Sequence, residues 1–168
     1  MIPKLFVDKY LPHAKKVEAQ TGLSAVATLT QAALESAWGD VAPGNMFFGV
    51  KDTDGINGNE QLLTTTEYSS RQDLKFPVIV SVTPVMKNGR KMFKYVVKDY
   101  FRKYNTPEDC FNDHAQFFLK NKRYAKALVV RHDYNRFFEE IAAAGYATAP
   151  DYADTLKAVA KSIMKCIK

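Results

Sequence analysis

Near the middle of the chain two β-prone runs, KFPVIVSVTPVM and KMFKYVVKDY, meet across Lys87-Asn88-Gly89-Arg90. Asn-Gly between such runs is a strong hairpin signal, because both residues tolerate the left-handed backbone that a tight antiparallel turn requires. Just upstream, QLLTTTEY (Gln61 to Tyr68) is threonine-rich and also β-prone. The segments on either side carry helical spacing instead. With 168 residues and no repeat, linker or low-complexity stretch, the chain reads as one α+β domain. It is mainly helical, with a small antiparallel lobe over about residues 60 to 98 that can wall one side of a groove.

The helical parts have recognisable starts and stops. Leu5, Phe6, Tyr10, Leu11 and Val17 predict an amphipathic helix over residues 4–21, broken at Gly22. Ser24 is placed to cap a second helix through Leu29 and Leu34 to Ala37 or Trp38, with Gly39, Pro43 and Gly44 opening a loop. Thr106-Pro107-Glu108-Asp109 supplies a cap, a proline at the first helical position and acids in the first turn. Further helices are predicted from Tyr124 to Val130, from Tyr134 to Ala144, and from Asp151 or Tyr152 to Ile167.

Lys plus Arg outnumber Asp plus Glu by 24 to 18, a net charge of +6. That excess favours an anionic partner such as nucleic acid, a membrane surface or an acidic wall polymer. The cations are scattered and form no arginine-rich arm or nucleic-acid motif, so nucleic acid is not the expected partner. Cys110 and Cys166 lie far apart and make no CxxC pair; two ordinary thiols are the expectation, with one disulfide as the alternative. His13, His114 and His132 fall in separate segments, so no metal site is expected. The start, MIPKLFVDKYLPHAKK, lacks an apolar signal core, and nothing later has the length to span a membrane.

One carboxylate stands out. QAALESAWGD puts Glu35 near the end of the second helix, among Ala32, Ala33, Leu34 and Trp38. The negative end of the helix dipole and apolar surroundings both favour its protonated form. That suits a general acid working near neutral pH; the alternative is a solvated residue at a fraying helix end. Trp38, the only tryptophan, is either core or a flat wall for a sugar ring, and both can hold.

Ala33-Leu34-Glu35-Ser36-Ala37-Trp38-Gly39 resembles the A-L-E-S-G-W-G motif of glycoside hydrolase family 73, the glucosaminidase-type peptidoglycan hydrolases. Asn45-Met46-Phe47-Phe48-Gly49-Val50-Lys51 is similar to that family's N-N-L-F-G-I-K, and Thr65-Thr66-Glu67-Tyr68 to its T-x-E-Y. Asp99 to Tyr104, followed by Asp113-His114, resembles F-R-x-Y … D-H, and Tyr146 to Ala153 resembles Y-A-T-D-P-x-Y-A. One such match is weak, but an ordered set along most of the chain is strong. Departures fall at Ala37 (usually glycine), Met46 (often asparagine) and Ala149 (usually aspartate).

The resemblance implies a lysozyme-like fold that cuts β-1,4 bonds of peptidoglycan glycan strands, most simply as an endo-β-N-acetylglucosaminidase. Muramidase and lytic transglycosylase are the alternatives on that fold, and a non-catalytic wall-binding module the alternative outside enzymology. Glu35 becomes the proton donor, and Glu67 the matched second carboxylate, in a strand that can face the Glu35 helix. A separation of roughly 5 Å between the two implies a covalent retaining route, and roughly 6.5–9.5 Å an inverting one. Attack by the substrate's own N-acetyl oxygen would leave Glu67 supporting. Asp52, Asp54 and Glu60 are lesser candidates. Trp38, Asn45, Phe48, Tyr68 and Tyr146 are the implied substrate contacts, with His114 read as packing. No cofactor is implied, the expected partner is bacterial peptidoglycan without stable membrane insertion, and a monomer is expected. The site of action would be the periplasm or wall, reached through a holin, by tail delivery, or as part of a longer protein.

Overall fold

A computed structural model describes residues 1–54 and 56–167. It divides into two compact units, one formed by Met1–Phe48 with Tyr104–Lys168 and the other by Gly49–Lys103. Among the described residues the first unit holds all the α-helices and the second a three-stranded sheet. The α+β class read from the periodicity switch is therefore the one observed.

The helical unit is built from α1 (Pro3–Thr21), α2 (Ala25–Glu35), α3 (Pro107–Lys120), α4 (Ala125–Val129), α5 (Tyr134–Ala143) and α6 (Tyr152–Cys166). Helix α2 is the central element and packs against α1, α5 and α6. Eight of its 11 residues are buried, from Ala25 to Ala33, as a helix apolar nearly all round must be. Its alanines let the neighbouring helices approach closely, and Leu29 fills the space between them. Around it lie Phe6 and Val17 of α1, Phe111 and Phe118 of α3, Phe137 and Ile141 of α5, and Leu156 of α6, all fully buried. Truncating any one of these large side chains to alanine costs about 2–5 kcal/mol in lost transfer energy and cavity.

The caps act as their chemistry dictates. Ser24 accepts from the Ala27 N–H at 3.2 Å and Thr106 from the Asp109 N–H at 3.1 Å, filling donors that a helix start leaves open. Helix α2 ends at Glu35, two to three residues before the expected stop. Ala37, Trp38 and Gly39 take positive φ values of 51°, 57° and 82°, which no right-handed helix accommodates. Cys110 and Cys166 are both free thiols, with burial pushing Cys110 up to about 12.

In the second unit β1 (Glu60–Ser69), β2 (Val78–Lys87) and β3 (Arg90–Arg102) form an antiparallel sheet in the order β1-β3-β2. The β2–β3 turn has Asn88 at φ 52° and Gly89 at φ 74°, the positive pair that matches strand twist. β3 continues to Arg102, a little beyond the expected lobe. Tyr95 and Val97 of β3 are fully buried. The segment after β1 covers Tyr95, whose hydroxyl donates to the Arg71 carbonyl and accepts weakly from the Leu74 N–H, while Phe76 packs 5.6 Å from its ring. β2 carries a register shift between Ile79 and Ser81 and a proline at position 84.

Candidate active site

Glu35 is the last helical residue of α2, and the turn after it is tightly made. The Trp38 N–H returns to the Ala33 carbonyl at 2.8 Å, a six-to-one closure typical of a left-handed helix stop. The buried Ser36 hydroxyl donates to the Ala32 carbonyl and accepts from the Gly39 N–H at 2.9 Å. Gly39 is needed twice over, since a Cβ there would sit 3.3 Å from Phe6 and 3.4 Å from Tyr10 at a φ of 82°. The turn thereby fixes where the Glu35 carboxyl leaves the helix.

Glu35 reaches solvent as a residue, yet neighbouring atoms remove enough water from its carboxyl to raise its pKa above the usual value. The direction matches the sequence expectation. Trp38 is half-buried with its indole edge-on to Phe6 at 5.6 Å, so packing accounts for much of that ring.

The aromatic neighbours of Glu35 come from the other end of the chain. Burial raises the Tyr146 and Tyr152 phenols, and the Glu35 charge raises both further. Tyr146 sits within an aromatic cluster, 5.7 Å from Tyr152, 5.6 Å from Phe118 and 6.3 Å from Tyr124. Phe48 stacks on His114 with ring centres 3.8 Å apart and planes within 9°. His114 is buried and packed, as expected, and burial lowers it to about 3. It is also hydrogen-bonded: its Nε2 meets Gln31 Oε1 at 2.8 Å, and Gln31 Nε2 donates to the Tyr152 hydroxyl at 3.1 Å. Gln31 and Tyr152 had no role in the sequence reading, although Gln31 lies one helical turn before Glu35 on the same face.

Asn45 has φ 56° and donates its Nδ2 to the Tyr104 carbonyl at 3.0 Å. That amide therefore shapes the turn ahead of Met46, whose N–H closes on the Pro43 carbonyl.

In the sheet unit, Glu67 lies on the half-buried face of β1, opposite Tyr95. Lys51 Nζ donates to Glu67 Oε1 at 2.8 Å and also lies 3.4 Å from Asp99 Oδ2. The Glu67 hydrogen bond is the main cause raising the Lys51 pKa. Lys51 is a third residue that the sequence reading left without a role.

Tyr68 lies on the other face of β1. Successive strand residues point to opposite faces, so Tyr68 occupies the exposed face away from Glu67. There Lys87 Nζ lies 3.7 Å from its ring centre, a cation–π contact. A surface that presents Glu67 does not present Tyr68. Of the lesser acids, Asp54 accepts from the Ile56 N–H and Asn59 and lies 3.4 Å from Arg102. Glu60 accepts from the Gly58 N–H, so both acids fold the loop onto itself. Among the described residues no group of three or more His, Cys, Asp or Glu could hold a metal ion, and no helix is long and apolar enough to cross a membrane.

Comparison with known proteins bears on this geometry. The glucosaminidase family model, described as mannosyl-glycoprotein endo-β-N-acetylglucosaminidase, matches residues 11–165. The chain is 31% identical over 167 residues to the peptidoglycan hydrolase FlgJ of Vibrio parahaemolyticus, covering 96% of this chain and 47% of that protein. It is 30% identical over 163 residues to the exo-glucosaminidase LytG of Bacillus subtilis, covering 93% and 50%. The chain thus spans about half the length of these curated relatives. A C-terminally truncated glycoside hydrolase domain of Salmonella typhimurium FlgJ superposes with a TM-score of 0.73 at 27% identity, over 98% of this chain and 99% of that one.

Proposed function

Because this chain belongs to the glucosaminidase family, we propose that it hydrolyses β-1,4 bonds in the glycan strands of bacterial peptidoglycan, as an endo-β-N-acetylglucosaminidase with Glu35 as general acid. The observation that carries this reading is Glu35 itself, held at the end of α2 with its pKa raised by desolvation. Such a carboxyl keeps its proton further toward neutral pH and can give it to the departing glycosidic oxygen.

Cleavage leaves positive charge at the anomeric carbon, and a second carboxylate is needed to oppose it or to activate water. Glu67 is assigned that role. Its partner Lys51 holds the carboxylate in place through a charge-assisted hydrogen bond. Around the sugar, Tyr146 and Phe48 offer apolar ring surface, with Trp38 and Asn45 acting chiefly through the turns they shape. Tyr68 would meet the glycan, if at all, from the face of β1 opposite Glu67. The reaction requires no cofactor.

Residues 1–168 are proposed to work as one catalytic domain and as a monomer, in the periplasm or wall where the polymer lies. The net charge of +6 favours residence on an anionic wall. A holin, a phage tail or a longer host protein would each bring the domain there.

The test is mass spectrometry of borohydride-reduced muropeptides released by wild type, Glu35→Gln and Glu67→Gln. Reduced N-acetylglucosamine ends from wild type alone are expected. Reduced N-acetylmuramic ends would move the cleaved bond, and anhydro ends would make the enzyme a transglycosylase. Folded wild type releasing no new ends from several walls would leave a binding module.

A further inference from the structure

The buried contact between α2, α3 and α6 has a direction. Gln31 is fully buried, and its amide bridges His114 and Tyr152. An amide oxygen only accepts, so His114 must present a proton on Nε2 to Gln31 Oε1. Burial keeps the ring neutral, with its pKa lowered to about 3, so Nδ1 is then bare. The other end of the amide only donates, so Tyr152 must receive Gln31 Nε2–H on its oxygen. A phenol has a single proton. With its oxygen accepting from Gln31, the Tyr152 proton is left for an acceptor on the remaining side.

We infer that the chain His114–Gln31–Tyr152 aims the Tyr152 hydroxyl proton at the Glu35 side of the helical unit, making Tyr152 a positioning residue for that carboxylate through an intervening water. Gln31 and Glu35 lie one turn apart on α2, and Tyr152 opens α6, which packs along α2. The Glu35 charge acts on Tyr152 and on Tyr146, whose ring is stacked 5.7 Å away at 21°. The titratable groups that meet here are Glu35 from α2, His114 from α3, Tyr124 ahead of α4, Tyr146 from the α5–α6 loop and Tyr152 from α6. Tyr152 accepts one hydrogen bond and is free to give one. A donor on this side steadies the Glu35 anion left after proton delivery, while desolvation still favours the acid beforehand. His114, which touches neither Glu35 nor a sugar in this scheme, sets the polarity of the whole chain.

The inference rests on Glu35 as the acid, so its test does not depend on turnover. Imidazole 15N NMR of the wild-type protein is expected to show His114 as the Nε2–H tautomer. Carboxyl 13C NMR of Glu35 is then followed across pH in wild type, Tyr152→Phe, Gln31→Met and the double variant. Loss of a hydrogen bond to the anion is expected to move the Glu35 midpoint upward by about one pH unit in Tyr152→Phe. Gln31→Met should move it in the same direction, and the double variant no further than Tyr152→Phe. The alkaline limb of kcat/KM should follow the same displacement. An Nδ1–H tautomer would reverse the chain and overturn the inference, as would an unchanged or lowered Glu35 midpoint in Tyr152→Phe. A Glu35→Gln enzyme that kept full activity would instead remove Glu35 as the acid and leave the NMR result standing by itself.

Discussion

Lys51 and Glu67 are joined by a 2.8 Å ion pair, and the same ammonium reaches Asp99 at 3.4 Å. Their positions in sequence are 16 apart, and the ends of the two long side chains meet on the sheet. Lys51 forms an isolated bridge to Phe101 of β3, and β1 lies beside β3 on that stretch. One cation therefore orients two carboxylates on one face of the sheet.

Replacing Lys51 by methionine is expected to lower kcat on the order of tenfold by letting the Glu67 carboxylate wander, with Lys51→Arg recovering part of it. The stability effect should stay under about 1 kcal/mol, since both side chains are substantially exposed and solvent screens the pair. Its pH dependence has a definite sign. The Lys51 pKa is raised on folding, so the contribution is full at neutral pH and is lost as pH rises through that raised value. Urea unfolding of both proteins at neutral and strongly alkaline pH measures this; a difference that grew at alkaline pH would contradict it.

Glu35→Gln should abolish glycan cleavage and stabilise the fold. The Glu35 pKa is raised in the folded state, so its favourable contribution exists below the unfolded value and disappears as pH rises through the folded one. Above that folded value the wild-type protein holds a partly desolvated anion that glutamine does not impose. Thermal unfolding is expected to show the variant with the higher Tm at neutral pH and near parity in acid. A variant less stable than wild type at neutral pH would remove the desolvated-carboxylate argument.

Ala37→Gly is expected to stabilise the protein by up to about 1 kcal/mol, because an L-residue in the left-handed region costs about 1–2 kcal/mol, part of which is offset by the larger unfolded-state entropy of glycine. Ala37 holds φ 51° at the helix stop. Denaturant titration with an unchanged m-value would register the gain.

Ser36→Ala should destabilise by about 1–3 kcal/mol, the range for leaving a buried backbone donor without its acceptor. The donor is the Gly39 N–H, held at 2.9 Å by the Ser36 hydroxyl. Because Ser36 adjoins Glu35, kcat is expected to fall more than KM rises. Parallel unfolding and Michaelis–Menten measurements separate the two effects, and wild-type stability in the variant would show that the hydroxyl does not hold the turn.

What the sequence disclosed was local. Asn88-Gly89, the Ser24 cap and the Thr106-Pro107 start each act within four residues, so their chemistry is legible where they stand. The end of α2 was not, because Ala37 and Trp38 carry no mark of a left-handed backbone and continue an apolar pattern. Glu67 and Tyr68 were read as one motif, but strand alternation places them on opposite faces. The polar chain beside Glu35 was out of reach for another reason. Gln31 lies 121 positions from Tyr152 and 83 from His114, and no periodicity links residues so far apart.

The irregularities of β2 have a consequence for how this protein survives at high concentration. β2 is an outer strand, and Val78, Ile79, Val80 and Val82 on it are all substantially exposed. A run of that composition would ordinarily recruit another chain edge to edge. Here the break in register between Ile79 and Ser81 bends the template, and Pro84 withholds an N–H where a docking strand would look for one. The flanking Lys75 and Lys87 add like-charge repulsion between two such edges. The strand is thereby kept from seeding fibrils by its own defects.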